Sequence, residues 1–176
     1  MTMTRLVLIR HAKTEQVGPA GLGDHGRRLL PRGEADGLAA GRWLVEQGLI
    51  PDLVLCSSAV RAAQTWDAMV SGAGELSDVE VWREPEIYEA APEALLQVLS
   101  EVPDGAGTVA MVGHAPGIPA LVADLVDPEQ ADEDAVDAFN AGYPTMAIAV
   151  LEAPPVARFA AMALTVMHTA RGPRAS

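Results

Sequence analysis

The sequence predicts an α/β fold built on a mostly parallel central sheet. Leu6-Val7-Leu8-Ile9, Asp52-Leu53-Val54-Leu55-Cys56 and Thr108-Val109-Ala110-Met111-Val112 are apolar runs without polar alternation, as expected of strands buried on both faces. Helix-like periodicity follows each of them. The chain has 176 residues, 49% of them hydrophobic, enough for one packed domain over residues 1–176.

The first strand runs into Arg10-His11-Ala12-Lys13, and in sheets of this kind ligands bind beyond the carboxyl ends of the strands. Residues 16–28 are rich in glycine and charge with no period, which predicts a loop beside that strand end. From Pro31, a favoured first helical residue, Ala35, Leu38, Ala39 and Trp43 recur at three-and-four spacing until Gly48, giving a helix over one face of the sheet. The second strand empties into Ser57-Ser58-Ala59-Val60-Arg61. With Ser58 as cap, Arg61 takes the third position of the next helix, where the macrodipole is already positive. A cation is locally misplaced there unless an anion binds at that helix start.

Val79-Glu80-Val81 reads as a short strand, residues 84–89 as a loop carrying Glu84, Glu86 and Glu89, and Pro92 as the opening of a helix through Leu99. The third buried strand ends in Gly113-His114, and Pro116 starts a helix through Leu125. Residues 127–137 hold six acids and no base, the pattern of a solvated segment. Residues 146–151 and 158–167 are the last two strands, pairing at one edge of the sheet. His168 falls beyond them, on the surface, with Arg171 and Arg174 in a tail.

The formal net charge of −12 and a pI near 4.6 argue against nucleic acid and anionic membranes as partners. No apolar run approaches the roughly 20 residues of a membrane helix. The opening strand leaves no room for a signal peptide, and the single cysteine, Cys56, agrees with a cytoplasmic protein. With only 12 lysines and arginines, the place of each arginine carries information.

If the three buried strands are neighbours, their ends gather Arg10, His11, Arg61 and His114 around one crevice. Two guanidiniums and one imidazole would cover the oxygens of a phosphoryl group while His11 attacks phosphorus. No carboxylate stands at those strand ends to hold magnesium, since Asp52 begins its strand. A reaction without metal or other cofactor is expected.

At Leu8-Ile9-Arg10-His11-Ala12-Lys13, Asp24-His25 with Arg27, Pro31-Arg32-Gly33, Leu55-Cys56-Ser57-Ser58 with Arg61 and Gln64-Thr65, Tyr88-Glu89-Ala90, Val112-Gly113-His114 and Pro144-Thr145, the chain resembles the histidine phosphatase superfamily, the phosphoglycerate mutase-like fold. Within it the chain is similar to the short SixA-type phosphohistidine phosphatases. The resemblance implies a three-layer α/β/α sandwich. It also implies a phosphohistidine intermediate on His11 and a phosphate pocket of Arg10, Arg61 and His114. Glu86 and Glu89 both stand where longer relatives carry the proton donor. Ala12 replaces the glycine usual in the superfamily, and Leu30 replaces the threonine usual in this branch, so the helix at Pro31 loses its side-chain cap, at a cost of about 1 kcal/mol. The substrate implied is a phosphorylated protein, an open site being expected of short members, or a small phosphorylated molecule.

Four other readings remain. A cysteine phosphatase would use Cys56 ahead of Arg61, but needs one residue more than the four that separate them. A mutase would return the phosphoryl group to its substrate, and a non-catalytic module would only bind phosphate. A metal site on the four histidines lacks any helical ligand spacing.

Overall fold

A computed structural model describes residues 3–173, so Arg174 of the expected tail lies outside the described residues. The strands are β1 (Thr4–Arg10), β2 (Leu53–Ser57), β3 (Glu80–Glu84), β4 (Thr108–Gly113), β5 (Ala147–Ala153) and β6 (Ala163–Thr169). The helices are α1 (Pro31–Glu46), α2 (Val60–Gly72), α3 (Pro92–Ser100), α4 (Gly117–Leu125) and α5 (Glu133–Ala141). They build one sheet of order β3-β2-β4-β1-β5-β6. Its first four strands are parallel, while β5 runs antiparallel to both β1 and β6.

The apolar runs do what their lack of alternation implies. Leu6 and Leu8 of β1 pack with Leu55, Met111, Leu95, Leu99, Ile118 and Leu121 on the face covered by α3, α4 and α5. Val7 and Ile9 pack on the other face with Val54, Val112, Leu44, Trp66 and Met69, under α1 and α2. Three layers result, because a strand with an apolar side chain on each face needs a cover on each. At Gly41 of α1 and Gly72 of α2 the two helices approach so closely that an added methyl would collide with the Met69 or the Leu38 carbonyl.

Several boundaries differ from the sequence reading. Helix α2 starts at Val60, capped by the extended residue Ala59 without any side chain, so Arg61 is its second residue. Ser58 stands one residue before that cap, and its hydroxyl lies 3.0 Å from His25 Nε2. Proline 116 precedes α4, whose first residue is Gly117. Strand β3 extends through Trp82 and Arg83 to Glu84 by pairing with β2. The last strand begins at Ala163 and not at residue 158: residues 154–162 form a connection that holds Arg158 and Ala161 at φ 45°.

His168 lies within β6 and not beyond it. It stands opposite Ile148 with its ring stacked on Trp43 at 4.3 Å and 2°, half-covered in place of the exposed position expected. The acidic stretch 127–137 is not wholly irregular. Asp132 caps α5 by accepting from Ala135 N at 2.9 Å, and acids in a first helical turn are favoured by the macrodipole. Leu30 leaves α1 without a side-chain cap, Pro31 standing at its first position.

Candidate active site

The sheet order places β1 between β4 and β5, with β2 on the far side of β4, so three adjacent parallel strands end at one edge. Their ends deliver Arg10-His11, Ser57 and Gly113-His114. A cleft of about 760 Å³ opens there, lined among others by Arg10, His11, Lys13, Asp24, Arg27, Arg61, Glu89, His114 and Thr145. It gathers four of the chain's twelve cationic side chains, a local reversal of sign in an acidic protein.

His11 is 6% exposed. Its main chain continues the sheet, its N–H donating to Gly113 O at 3.0 Å and its carbonyl accepting from Met146 N at 3.1 Å. The ring Nδ1 lies 2.8 Å from Ala12 O. A carbonyl can only accept, so Nδ1 carries the proton and Nε2 keeps its lone pair. Burial, reinforced by Arg61, Arg10 and Arg27, pulls the imidazole down to about 4 despite the opposing Ala12 carbonyl. At neutral pH the ring is therefore uncharged, as a nucleophile must be. Thr65 of α2 ties this corner to the helix: its hydroxyl accepts from Ala12 N at 3.0 Å and donates to Arg61 O at 2.7 Å.

The neighbouring His114 ring lies 5.4 Å from that of His11. Burial, with Arg61 and His11 adding to it, holds it down to about 3. Arg10 Nη1 donates to Tyr143 O at 2.9 Å. Arg61, 5% exposed, donates from Nη1 to Asp24 O at 2.9 Å and from Nη2 to Asp24 Oδ2 at 3.2 Å. Each arginine is thus gripped at the tip while its Nε stays free. Among the described residues, the buried side-chain nitrogens and oxygens without a partner are Arg10 Nε, Arg61 Nε and His114 Nδ1. Buried polar groups are normally satisfied, and three orphans in one cleft mark a place for an anion.

Of the residues proposed from the sequence, Arg10, His11, Arg61, His114 and Glu89 line the cleft, and Glu86 does not. Glu86 lies on the 3-10 turn 85–87 beside Glu84, whose carboxyl it helps burial to push up. Glu89 is held at φ 53°, a conformation few non-glycine residues adopt. Cys56 is fully buried among the residues under α1 and α2. Burial drives its thiol up to about 11, against the opposing Arg83 guanidinium. A protonated thiol outside the cleft is no nucleophile, and the cysteine phosphatase reading falls.

The sequence reading counted Asp24, Arg27, Ser57 and Tyr88 among the residues that carry the resemblance but gave none of them a part in the site. Asp24 accepts from Tyr88 OH at 2.6 Å and Arg27 Nη1 at 2.9 Å as well as from Arg61. Those donors hold its carboxyl well below the ordinary range. Apart from the resemblance, Asp24, its neighbour His25 and Arg27 were legible only as mixed charge in a glycine-rich loop, since nothing in their spacing says that the loop folds back onto α2. Among the described residues, no group of three or more His, Cys, Asp or Glu is arranged to hold a metal ion, and no helix is long and apolar enough to cross a membrane.

A mostly parallel sheet with helices on both faces and two arginines and two histidines at the carboxyl ends of its parallel strands has close counterparts among known proteins. No family model matches the chain. It is 30% identical to a structure from Nakamurella multipartitia assigned as the phosphohistidine phosphatase SixA, with a TM-score of 0.78 over 97% of this chain and 98% of that one. A structure with the same assignment from Agrobacterium tumefaciens is 30% identical, with a TM-score of 0.70 over 85% and 91% of the two chains. An uncharacterised protein of Mycobacterium tuberculosis is 35% identical over 81% of this chain and 85% of its own length. The chain belongs to the histidine phosphatase superfamily, in its SixA-type branch.

Proposed function

We propose that the chain is a metal-independent phosphatase that carries the phosphoryl group of its substrate on His11 Nε2 and acts on phosphohistidine in proteins. The observation that carries this reading is the set of three orphaned nitrogens, Arg10 Nε, Arg61 Nε and His114 Nδ1, around an uncharged histidine whose Nδ1 is engaged.

In the first step the Nε2 lone pair forms a bond to phosphorus while the bond to the leaving group breaks, and the leaving group takes up a proton. In the second, water attacks phosphorus, the N–P bond breaks and His11 recovers its lone pair. Charge that builds on the phosphoryl oxygens is met by the guanidiniums of Arg10 and Arg61, which stay protonated throughout. Glu89, which lines the cleft, supplies and retrieves the proton, and an imidazole leaving group makes small demands on it. A cleft lined by the exposed Glu89 suits a phosphorylated side chain on a protein surface.

The test is incubation with a labelled phosphohistidine peptide, with phosphoramidate and with alkyl phosphates, with and without EDTA. The expected result is an acid-labile label on His11, no label in His11→Ala, and turnover indifferent to EDTA. Glu89→Gln should slow alkyl phosphates more than phosphoramidate. Loss of activity in EDTA, or full turnover by His11→Ala, would overturn the proposal.

A further inference from the structure

Ser57 ends β2, is wholly buried and has no part in the chemistry above. Its Oγ lies 2.8 Å from His114 Nε2 and accepts from Ala59 N at 3.2 Å. We propose that Ser57 is a positioning residue that fixes the tautomer of His114, keeping the ring proton on Nδ1, where it faces the phosphoryl oxygens. The proposal rests on the phosphatase reading for the identity of the anion, but not for the tautomer itself.

The argument is a count of protons. A neutral imidazole has one N–H and one lone pair, and a hydroxyl has one hydrogen to give. If Nε2 carried the ring proton it would donate to Ser57 Oγ. The serine hydrogen would then need another acceptor, and Ala59 N, the other atom bonded to Oγ, can only donate. The buried Nδ1 would also present a lone pair to an anion. If instead Ser57 donates to Nε2, its oxygen still accepts from Ala59 N, the hydroxyl is satisfied, and Nδ1–H is left to bond the anion. The second arrangement leaves a single group waiting, and that group is the orphaned Nδ1. A doubly protonated ring would make the choice moot, but burial and the nearby Arg61 keep the charge off it.

The two catalytic histidines are then the same tautomer used from opposite ends. His11 gives its Nδ1–H to the Ala12 carbonyl and turns a lone pair toward phosphorus. His114 accepts a hydrogen bond from the Ser57 hydroxyl at Nε2 and turns its Nδ1–H toward the oxygens. A backbone acceptor sets one ring and a side-chain donor sets the other.

Nitrogen NMR of the histidine-labelled protein, free and with vanadate, reads the tautomer directly. In the wild type, His114 should be protonated on Nδ1 only, in both states. Ser57→Ala should move His114 toward the Nε2–H form while leaving His11 unchanged, and lower kcat/KM on a phosphohistidine peptide about tenfold to a hundredfold, as for a weakened oxyanion donor. Ser57→Thr, which keeps the hydroxyl, should retain the wild-type tautomer. The proposal is overturned if wild-type His114 carries its proton on Nε2, or on both nitrogens with vanadate, or if a folded Ser57→Ala keeps both the Nδ1–H signal and full activity. A wild type that shows the expected tautomer but turns over no phosphorylated substrate would instead sink the phosphatase reading and leave this one standing.

Discussion

The two sides of the sheet, divided at β1, are built to different ends. From β1 through β4 and β2 every strand is parallel; His11 and His114 follow β1 and β4 into the cleft, and β2 ends in Ser57, buried against His114. Beyond β1, the antiparallel β5 meets the cleft with its beginning, where the Tyr143 carbonyl holds Arg10 and Tyr143 OH donates to Leu8 O at 2.6 Å. The parallel side supplies reacting groups, and the antiparallel side braces the strand that carries them. A strand end faces outward with free backbone and room for a side chain, which is why ligands gather there.

The sharpest way to test that division is to remove a group from the parallel side. Arg61→Ala should lower kcat/KM by about a thousandfold, a loss in the range measured for single oxyanion donors, and the decrease should lie mainly in kcat if its Nε acts on the transition state. A fall of threefold or less would mean that Arg61 belongs to the bracing and not to the chemistry.

On the antiparallel side Tyr143→Phe deletes one buried hydroxyl and leaves the Tyr143 carbonyl on Arg10. Thermal or urea unfolding should show a loss of about 1–2 kcal/mol from the deleted buried hydrogen bond, with kcat/KM within about threefold of wild type. If activity fell further than stability, the antiparallel half would be more than a brace. The smallest effect is expected where the parallel half carries a side chain that faces the helix layer and not the cleft. Cys56→Ala should keep full activity, and iodoacetamide should leave the wild type active, because the thiol is buried and protonated; inactivation by the reagent would contradict that placement.

The same division explains what could be read from the sequence. Unbroken apolar runs announce strands buried on both faces, so β1, β2 and β4 and the residues at their ends were legible, His11 and His114 among them. The edges were not. Strand β6 is half-exposed along most of its length, which erases the unbroken pattern and let its start be set five residues early, at Arg158. The contacts of Asp24 were illegible for another reason: it bonds Tyr88, sixty-four residues away, and Arg61, thirty-seven away, and no local period encodes a loop that returns. Glu86 and Glu89 could not be told apart on paper because a turn, and not a helix or strand, decides which of them faces the cleft.

The crowded crossing of α1 and α2 has a consequence for mutational tolerance. Arg61 and Thr65 ride on α2, and Thr65 holds the Ala12 N–H next to His11, so whatever displaces that helix also displaces the groups that would hold the phosphoryl. Gly41 and Gly72 have no side chain and no view of the cleft, yet a single methyl at either must push one backbone from another. Inactivating substitutions collected at random should therefore fall in two separate clusters, one around the cleft and one along this seam, and the second would contain no residue that ever meets a substrate.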